Sequence, residues 1–196
     1  MKNRNSSLII ICFINLCFSG SIYSEEIKES KLKVEWGKVL FTLTKEMMGE
    51  DHAMTGLADS MTGSIDMNSK KVEFKLSVTR SNFNMTGVYK YANGRMHETY
   101  MESDKFSVIN LVGNIAAYDP KTGTAKVVGK LTMHGITNDI TVEGNITPSS
   151  NGKGYLLTAS FDINITHYGI QVPNMKMAKV KEIVNIKTKI ELSSAE

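Results

Sequence analysis

The sequence predicts an all-β fold, an eight-stranded antiparallel β-barrel with a short helical excursion. Apolar and polar residues alternate over eight separate segments, which is the two-residue period of half-buried strands. The turns between these segments are mostly short, as antiparallel neighbours allow. The alternation fails over one long interval only, residues 82–105. Eight strands with short connections favour closure into an up-and-down barrel.

Three of the expected strands precede this interval. Apolar side chains occupy even positions over residues 32–36 and odd positions over residues 39–43. This change of parity predicts a β-bulge at Gly37. A weaker strand is expected over residues 63–67, and a regular one over residues 72–78.

Between Asn82 and Lys105 the two-residue period is lost, and Met96, Tyr100 and Met101 recur near helical spacing. This interval predicts a short helix and a loop that lie across one mouth of the barrel. Strands resume over residues 107–117, 125–133, 138–146, 156–166 and 179–192.

The most regular hairpin pattern is GKLTMHGITNDITVEG, residues 129–144. Apolar and polar residues alternate on both sides of the His134-Gly135 pair, and Gly135 supplies the permissive backbone that a tight turn needs. A hairpin of this kind cannot bury its apolar face alone. The other strands must therefore close around it.

The N-terminus has the pattern of a secretory signal peptide. Lys2 and Arg4 precede an apolar run over residues 8–18, and small residues follow. We expect cleavage after Ser21, with Ser24 as the competing site, so that residues 1–21 are the signal and residues 22–196 form one domain. This predicts a periplasmic or secreted protein.

Both cysteines, Cys12 and Cys17, lie inside the predicted signal. The domain would then contain neither thiol nor disulfide, and its core alone must stabilise it. A lipoprotein with Cys17 as its acylated first residue is the alternative, although Leu16 is larger than the residue usual before such a cysteine.

Charge and length exclude several classes of protein. The net charge is +3, and removal of Lys2 and Arg4 leaves +1, which gives no electrostatic case for nucleic-acid binding. No later stretch approaches the roughly 20 apolar residues of a transmembrane helix. About 175 residues suit one domain with a substantial core. A monomer and a homodimer both stay open.

Three blocks of this sequence closely resemble the YceI-like, polyisoprenoid-binding family. They are the hairpin of residues 129–144, RMHETYMESDKFSV of residues 95–108, and FDINITHYGIQV of residues 161–172. The blocks follow the order and approximate spacing of that family, and the resemblance covers nearly all of the chain after residue 30. It implies a lipocalin-like barrel that encloses a long isoprenoid chain in an apolar tunnel.

The sequence departs from the family pattern at three positions of the last block. Ile165 stands where the family usually has arginine, His167 where it has aspartate, and Tyr168 where it has phenylalanine. Whatever the arginine contributes in the family therefore cannot be transferred to this chain.

Alternation alone does not say which face of the barrel is apolar. An outer-membrane barrel would turn its apolar face to lipid, but the strands show no recurring aromatic girdle. We therefore expect the apolar face inside. An eight-stranded barrel can fill with its own side chains or hold one slim ligand. The residues alone favour a filled core, whereas the resemblance implies a tunnel.

The resemblance implies that apolar side chains on the inward face line the tunnel and that two histidines, which match the family's histidines, contact a head group near the mouth. Structural roles for both histidines are the alternative. The candidate ligand-binding residues are Phe41, Phe74, Leu76, Val78, His97, Leu131, Met133, His134, Ile140, Val142, Phe161, Ile163, Val184 and Ile186.

These observations predict a protein that sequesters or carries an apolar isoprenoid-type or quinone-like lipid, with no other cofactor and no metal. No motif of a known enzyme class is present after the signal, so we expect no catalysis. Two alternatives stay open. One is a filled barrel that acts through its surface in the cell envelope. The other is a copper binder that uses scattered methionines such as Met175 and Met177, since thioethers bind Cu(I).

Overall fold

A computed structural model describes residues 27, 29–150, 152–175 and 178–195, without the side chains of residues 174 and 175. The predicted signal peptide, residues 1–21 with Cys17, lies outside the described residues. The strands are β1 (Lys31–Met47), β2 (Glu50–Ala58), β3 (Met61–Asp66), β4 (Lys71–Ser77), β5 (Phe83–Met85), β6 (Val108–Tyr118), β7 (Thr124–Met133), β8 (Ile136–Pro148), β9 (Tyr155–Asn164), β10 (Asn174–Met175) and β11 (Ala178–Ser194).

Eight strands close into an antiparallel barrel, which confirms the predicted fold. The order around the ring is β1, β11, β9, β8, β7, β6, β4 and β3, and β3 pairs with β1 again. Each strand of the ring is hydrogen-bonded on both sides. Closure therefore removes the exposed edges that an open sheet would present.

Strands β2, β5 and β10 were not predicted, and β2 extends the ring beside β3. Strands β2 and β3 pair with β1 in the same register, β3 along its first residues and β2 along its second half, so the two strands lie end to end beside β1. The β1–β2 turn is Met48-Gly49, and both residues have positive φ, +54° and +86°. This is the backbone of a type I′ hairpin, which usually begins with Asn, Asp or Gly, so a methionine gives little sequence signal.

The bulge in β1 lies earlier in the strand than the sequence predicts. The register with β11 shifts between Val34 and Trp36, not at Gly37. Trp36 consequently points outward and is exposed, whereas Gly37 takes an inward position beside Met61. The bulge was misplaced because an apolar Trp36 on the outer face extends the apparent alternation by one residue.

The helical excursion lies at one end of the barrel, which we call the open end. It consists of a 3-10 turn (Gly87–Ala92), a single α-helical turn (Asn93–Arg95) and a π-helical turn (Met96–Tyr100). We call residues 87–100 the cap segment. The β1–β2 turn, the β7–β8 turn and a further 3-10 turn (Ile165–Tyr168) lie at the same end, because the strands that lead to them run in that direction.

The opposite end, which we call the closed end, is packed with apolar side chains. Leu32 and Leu192 have no exposed surface, and Ile65 and Ile190 are almost as fully buried. Each buried side chain of this size stabilises the fold by about 1.5–3 kcal/mol relative to leaving it exposed. In the described part of the chain, no helix has both the length and the apolar character needed to cross a bilayer.

Candidate functional site: an apolar cavity along the barrel axis

The barrel encloses a cavity of about 590 Å³ that runs from the open end toward the closed end. This volume lies within the roughly 300–1,000 Å³ that is typical of small-molecule sites. The wall is almost entirely apolar, and all eight strands of the ring contribute side chains to it. Such a wall offers dispersion and hydrophobic contacts but few directional ones.

The inward-facing residues of β9 show that the barrel is hollow. Leu157, Ala159, Phe161 and Ile163 all point inward and all line the cavity, yet each is only partly buried. In a filled barrel, inward side chains would be covered by neighbours to the packing density of an organic crystal. Here their inner surfaces border free space instead.

The structure places ten of the fourteen candidate residues on the cavity wall and four away from it. The ten are Phe41, Phe74, Leu76, Leu131, Met133, Val142, Phe161, Ile163, Val184 and Ile186. Val78 is fully buried in the core beside the wall, and Ile140 packs against that core. Neither His97 nor His134 lies on the wall.

Sequence reasoning missed the contribution of the cap segment and of the first strands. Met96 and Tyr100 of the cap segment, and Met101 directly after it, line the cavity at the open end. Their near-helical spacing was the signal, but it did not say that they face a ligand site. Other wall residues that were not named in advance include Val39, Leu43, Met54, Ile109, Leu111 and Ile115.

Six methionines line the cavity: Met54, Met61, Met85, Met96, Met101 and Met133. An unbranched, polarizable side chain adapts its shape to an irregular apolar ligand. Throughout the described residues, no group of three His, Asp, Glu or Cys side chains is placed to hold a metal ion. The side chains of Met175 and Met177, which the copper alternative would use, lie outside the described residues.

His134 holds the β7–β8 turn to the loop that follows the cap segment. It has a φ of +52° beside Gly135 at +77°, so this turn is also of type I′. Its Nε2 atom lies 2.8 Å from a carboxylate oxygen of Glu102, and its ring lies 4.3 Å from that of Phe106. Both interactions link the turn to the loop.

His97 is buried beneath the cap segment, with 2% of its surface exposed. Its Nδ1 atom lies 2.6 Å from the Ser103 hydroxyl, and its Nε2 atom has no hydrogen-bond partner among the described residues. Burial lowers the pKa of His97, and the backbone of Phe83 opposes this more weakly. His97 is therefore neutral in the folded protein at pH 7.

Because of His97, we expect the free energy of unfolding to fall as the pH drops below the unfolded-state pKa of about 6.5. The folded-state pKa lies below the ordinary value of about 6.5, so the unfolded chain takes up the proton first. The contribution of neutral His97 to the free energy of unfolding is complete above the unfolded-state pKa. It is lost as the pH falls through that pKa toward the folded-state pKa. The slope from one such proton is at most about 1.4 kcal/mol per pH unit.

Urea unfolding at several pH values measures this slope. The His97→Gln variant should lose the part of the pH dependence that comes from His97, whereas His167→Gln, at an exposed position, should keep it. An identical slope in wild type and His97→Gln would contradict the assignment.

The three departures from the family pattern lie at the open end. Ile165, where arginine was expected, is buried and lines the cavity, so this part of the wall is apolar. Tyr168 is buried, which raises the pKa of its hydroxyl, and the Asn138 side chain opposes this shift through a hydrogen bond. His167 is exposed, and its backbone oxygen accepts a hydrogen bond from Asn138.

The cavity opens to solvent at the open end. Only three residues of its wall are exposed: Tyr91 and Arg95 of the cap segment, and Gln171 in the loop before β10. Lys45 on β1 also lines the cavity and is partly exposed. We call these four residues the mouth. Among the described residues, the exposed part of the wall thus lies at the open end.

Comparison with known proteins supports this picture of the fold. A polyisoprenoid binding domain from Saccharophagus degradans, implicated in plant cell wall breakdown, superposes with a TM-score of 0.66 at 14% identity, covering 86% of this chain and 100% of that one. Burkholderia cenocepacia BcnA gives 0.58 at 14% identity over 79% and 94% of the two chains. The Campylobacter jejuni YCEI protein gives 0.52 at 11% identity over 98% and 99%.

At these identities the structural likeness concerns the fold. No curated protein is significantly similar to this sequence. The family model of the YceI-like domain, however, matches residues 27–192, which is most of the chain and includes the whole ring except the last two residues of β11. The chain therefore belongs to the YceI-like domain family.

Proposed function

We propose that this protein binds an apolar isoprenoid-type lipid inside its barrel and sequesters or carries it without chemical turnover. The observation that carries the proposal is the hollow apolar interior, in particular the four partly buried, inward-facing residues of β9. The family supports it, because a structural neighbour is a polyisoprenoid binding domain. A lipid chain is the ligand that such a long, apolar cavity accommodates best.

The affinity of such a complex would come from the hydrophobic effect. Each methylene group that moves from water into the cavity contributes about 0.8 kcal/mol. The methionines of the wall favour tolerance of branched chains, because they adjust their shape at low cost. Binding strength would therefore depend on chain length more than on any single contact.

Among the described residues, the Ser–His pair within hydrogen-bond distance is His97 and Ser103, which is buried and lies off the cavity wall. A nucleophile must reach its substrate, so this pair favours a structural role and a binding function without turnover. We also propose, from the N-terminal signal pattern, that binding takes place in the periplasm or outside the cell.

The proposal is tested by native mass spectrometry of the protein purified from its own host, followed by organic extraction of the bound molecule. We expect a stoichiometric adduct that extraction removes and that contains an isoprenoid chain. A protein that carries no lipid from its host, and takes up none after incubation with an isoprenoid quinone, would contradict the proposed function.

A further inference from the structure

Two cations stand on the wall of the cavity at its mouth, Lys45 and Arg95. Neither forms an ion pair with any residue that the structure describes. No Asp or Glu of the described chain lines the cavity, and the other polar wall residues are neutral: Thr188, Gln171 and two tyrosines. Among the described residues, the charged side chains that line the mouth are therefore all positive.

Lys45 occupies an inward position of β1. The inward row of this strand contains Val39, Phe41 and Leu43, and its pairing with β2 continues without a shift to Lys45, which lies opposite His52. The parity of a strand thus directs the lysine side chain toward the cavity. Its methylene groups can cover the apolar wall while the ammonium group reaches the water at the mouth.

Arg95 lies on the cap segment between wall residues Ala92 and Met96, and it is exposed. Two acidic residues, one of β2 and one of the cap segment, pair with other cations. Asp51 of β2 pairs with Lys181 at 2.5 Å, and Glu98 pairs with Arg80 at 3.1 Å. Lys45 and Arg95 are thus left free to bind a ligand at the mouth.

We propose that the bound lipid has an anionic head group, a carboxylate or a phosphate, which Lys45 and Arg95 bind while the tail occupies the cavity. This inference rests on the proposed lipid-binding function. Arginine binds planar or tetrahedral oxyanions through two parallel hydrogen bonds, and lysine binds them as a point charge. A neutral head group, such as an alcohol or a quinone, would leave both cations without a counter-charge.

The test is a competition between ligands that differ only in the head group. Protein freed of lipid on a hydrophobic resin is incubated with equimolar geranylgeranyl phosphate and geranylgeraniol, and the bound molecules are extracted and quantified. A second pair, hexadecanoate and hexadecanol, shows whether carboxylate serves as well as phosphate. We expect the amount of each bound anion to exceed that of its matched alcohol by about tenfold or more, because hydrogen bonds to charged groups are strong enough to give a ratio of this size.

The preference should depend on the two cations. In a Lys45→Gln/Arg95→Gln variant we expect the anion and the alcohol to be recovered in nearly equal amounts, with the amount of bound alcohol unchanged. Lys90→Gln is the matched control, since Lys90 is an exposed cation of the cap segment that does not line the cavity. It should keep the wild-type ratio. Raising the salt concentration should reduce the preference of the wild type, because the mouth is open to solvent.

The possible outcomes separate this inference from the proposed function. Equal recovery of anion and alcohol by the wild-type protein would overturn the anionic head group and leave lipid binding intact. A preference that survives in the double variant would overturn the assignment to Lys45 and Arg95. Recovery of no ligand at all by the folded wild type would overturn the proposed function, and this inference with it.

Discussion

Replacing Ile163 with tryptophan is expected to abolish lipid binding while the barrel remains folded. Ile163 lies on β9 near the open end, lines the cavity and is only partly buried. The added volume of the indole ring would therefore enter free space and not a packed core. Overpacking a filled core typically costs about 1–3 kcal/mol, and we expect a smaller loss here.

The measurement combines the thermal midpoint with the amount of lipid recovered by extraction. Ser160→Trp is the control, because Ser160 lies on the same strand with its side chain exposed, so an indole there should leave bound lipid unchanged. A folded Ile163→Trp protein that keeps its lipid would show that Ile163 does not line the path of the chain.

Truncating Leu192 to alanine is expected to lower the free energy of unfolding by about 2–5 kcal/mol, as in other fully buried leucines. Leu192 has no exposed surface and packs at the closed end with Leu32 and Ile65. For a domain of this size, each kcal/mol lowers the thermal midpoint by roughly 2–4 °C. This is the largest stability effect that we expect from a single substitution.

Leu157→Ala provides a chemically identical comparison on the neighbouring strand, since Leu157 pairs with Ile190 two residues from Leu192. Leu157 lines the cavity and is only partly buried, so its truncation removes fewer contacts and enlarges a space that already exists. In lipid-free protein, urea unfolding should show a clearly smaller loss for Leu157→Ala. Equal losses would indicate that the side chains around Leu157 are packed as in a filled core.

Much of the fold could be predicted because a barrel wall imposes a two-residue period on its sequence. Strands β7, β8, β9 and β11 follow this period closely, and the helical excursion appears as its interruption. Strand β2 escaped prediction because EDHAMTGLA has no strict alternation and follows a Met-Gly turn. The His134-Gly135 turn was recognisable because regular strands flank it on both sides.

The cavity itself could not be derived from the alternation. The same Val, Ile, Leu and Phe side chains would fill a slightly narrower barrel. Whether the barrel is filled or hollow depends on the geometry of the ring and not on residue type. The resemblance to a lipid-binding family, not the residues alone, suggested a hollow barrel. The positions of Lys45 and Arg95 on the cavity wall were also beyond the sequence, because they depend on which face of β1 turns inward and on where the cap segment lies.

The position of the mouth would determine how a bound lipid is exchanged. A chain with its head group at the mouth and its tail toward the closed end, where Leu32, Ile65 and Leu192 are packed, would enter tail first and leave head first. Donor and acceptor would therefore have to meet the same end of the molecule, one after the other. A carrier of this kind would not act as a conduit that touches two membranes at once. It would have to detach from one, reorient, and present the same face to the next.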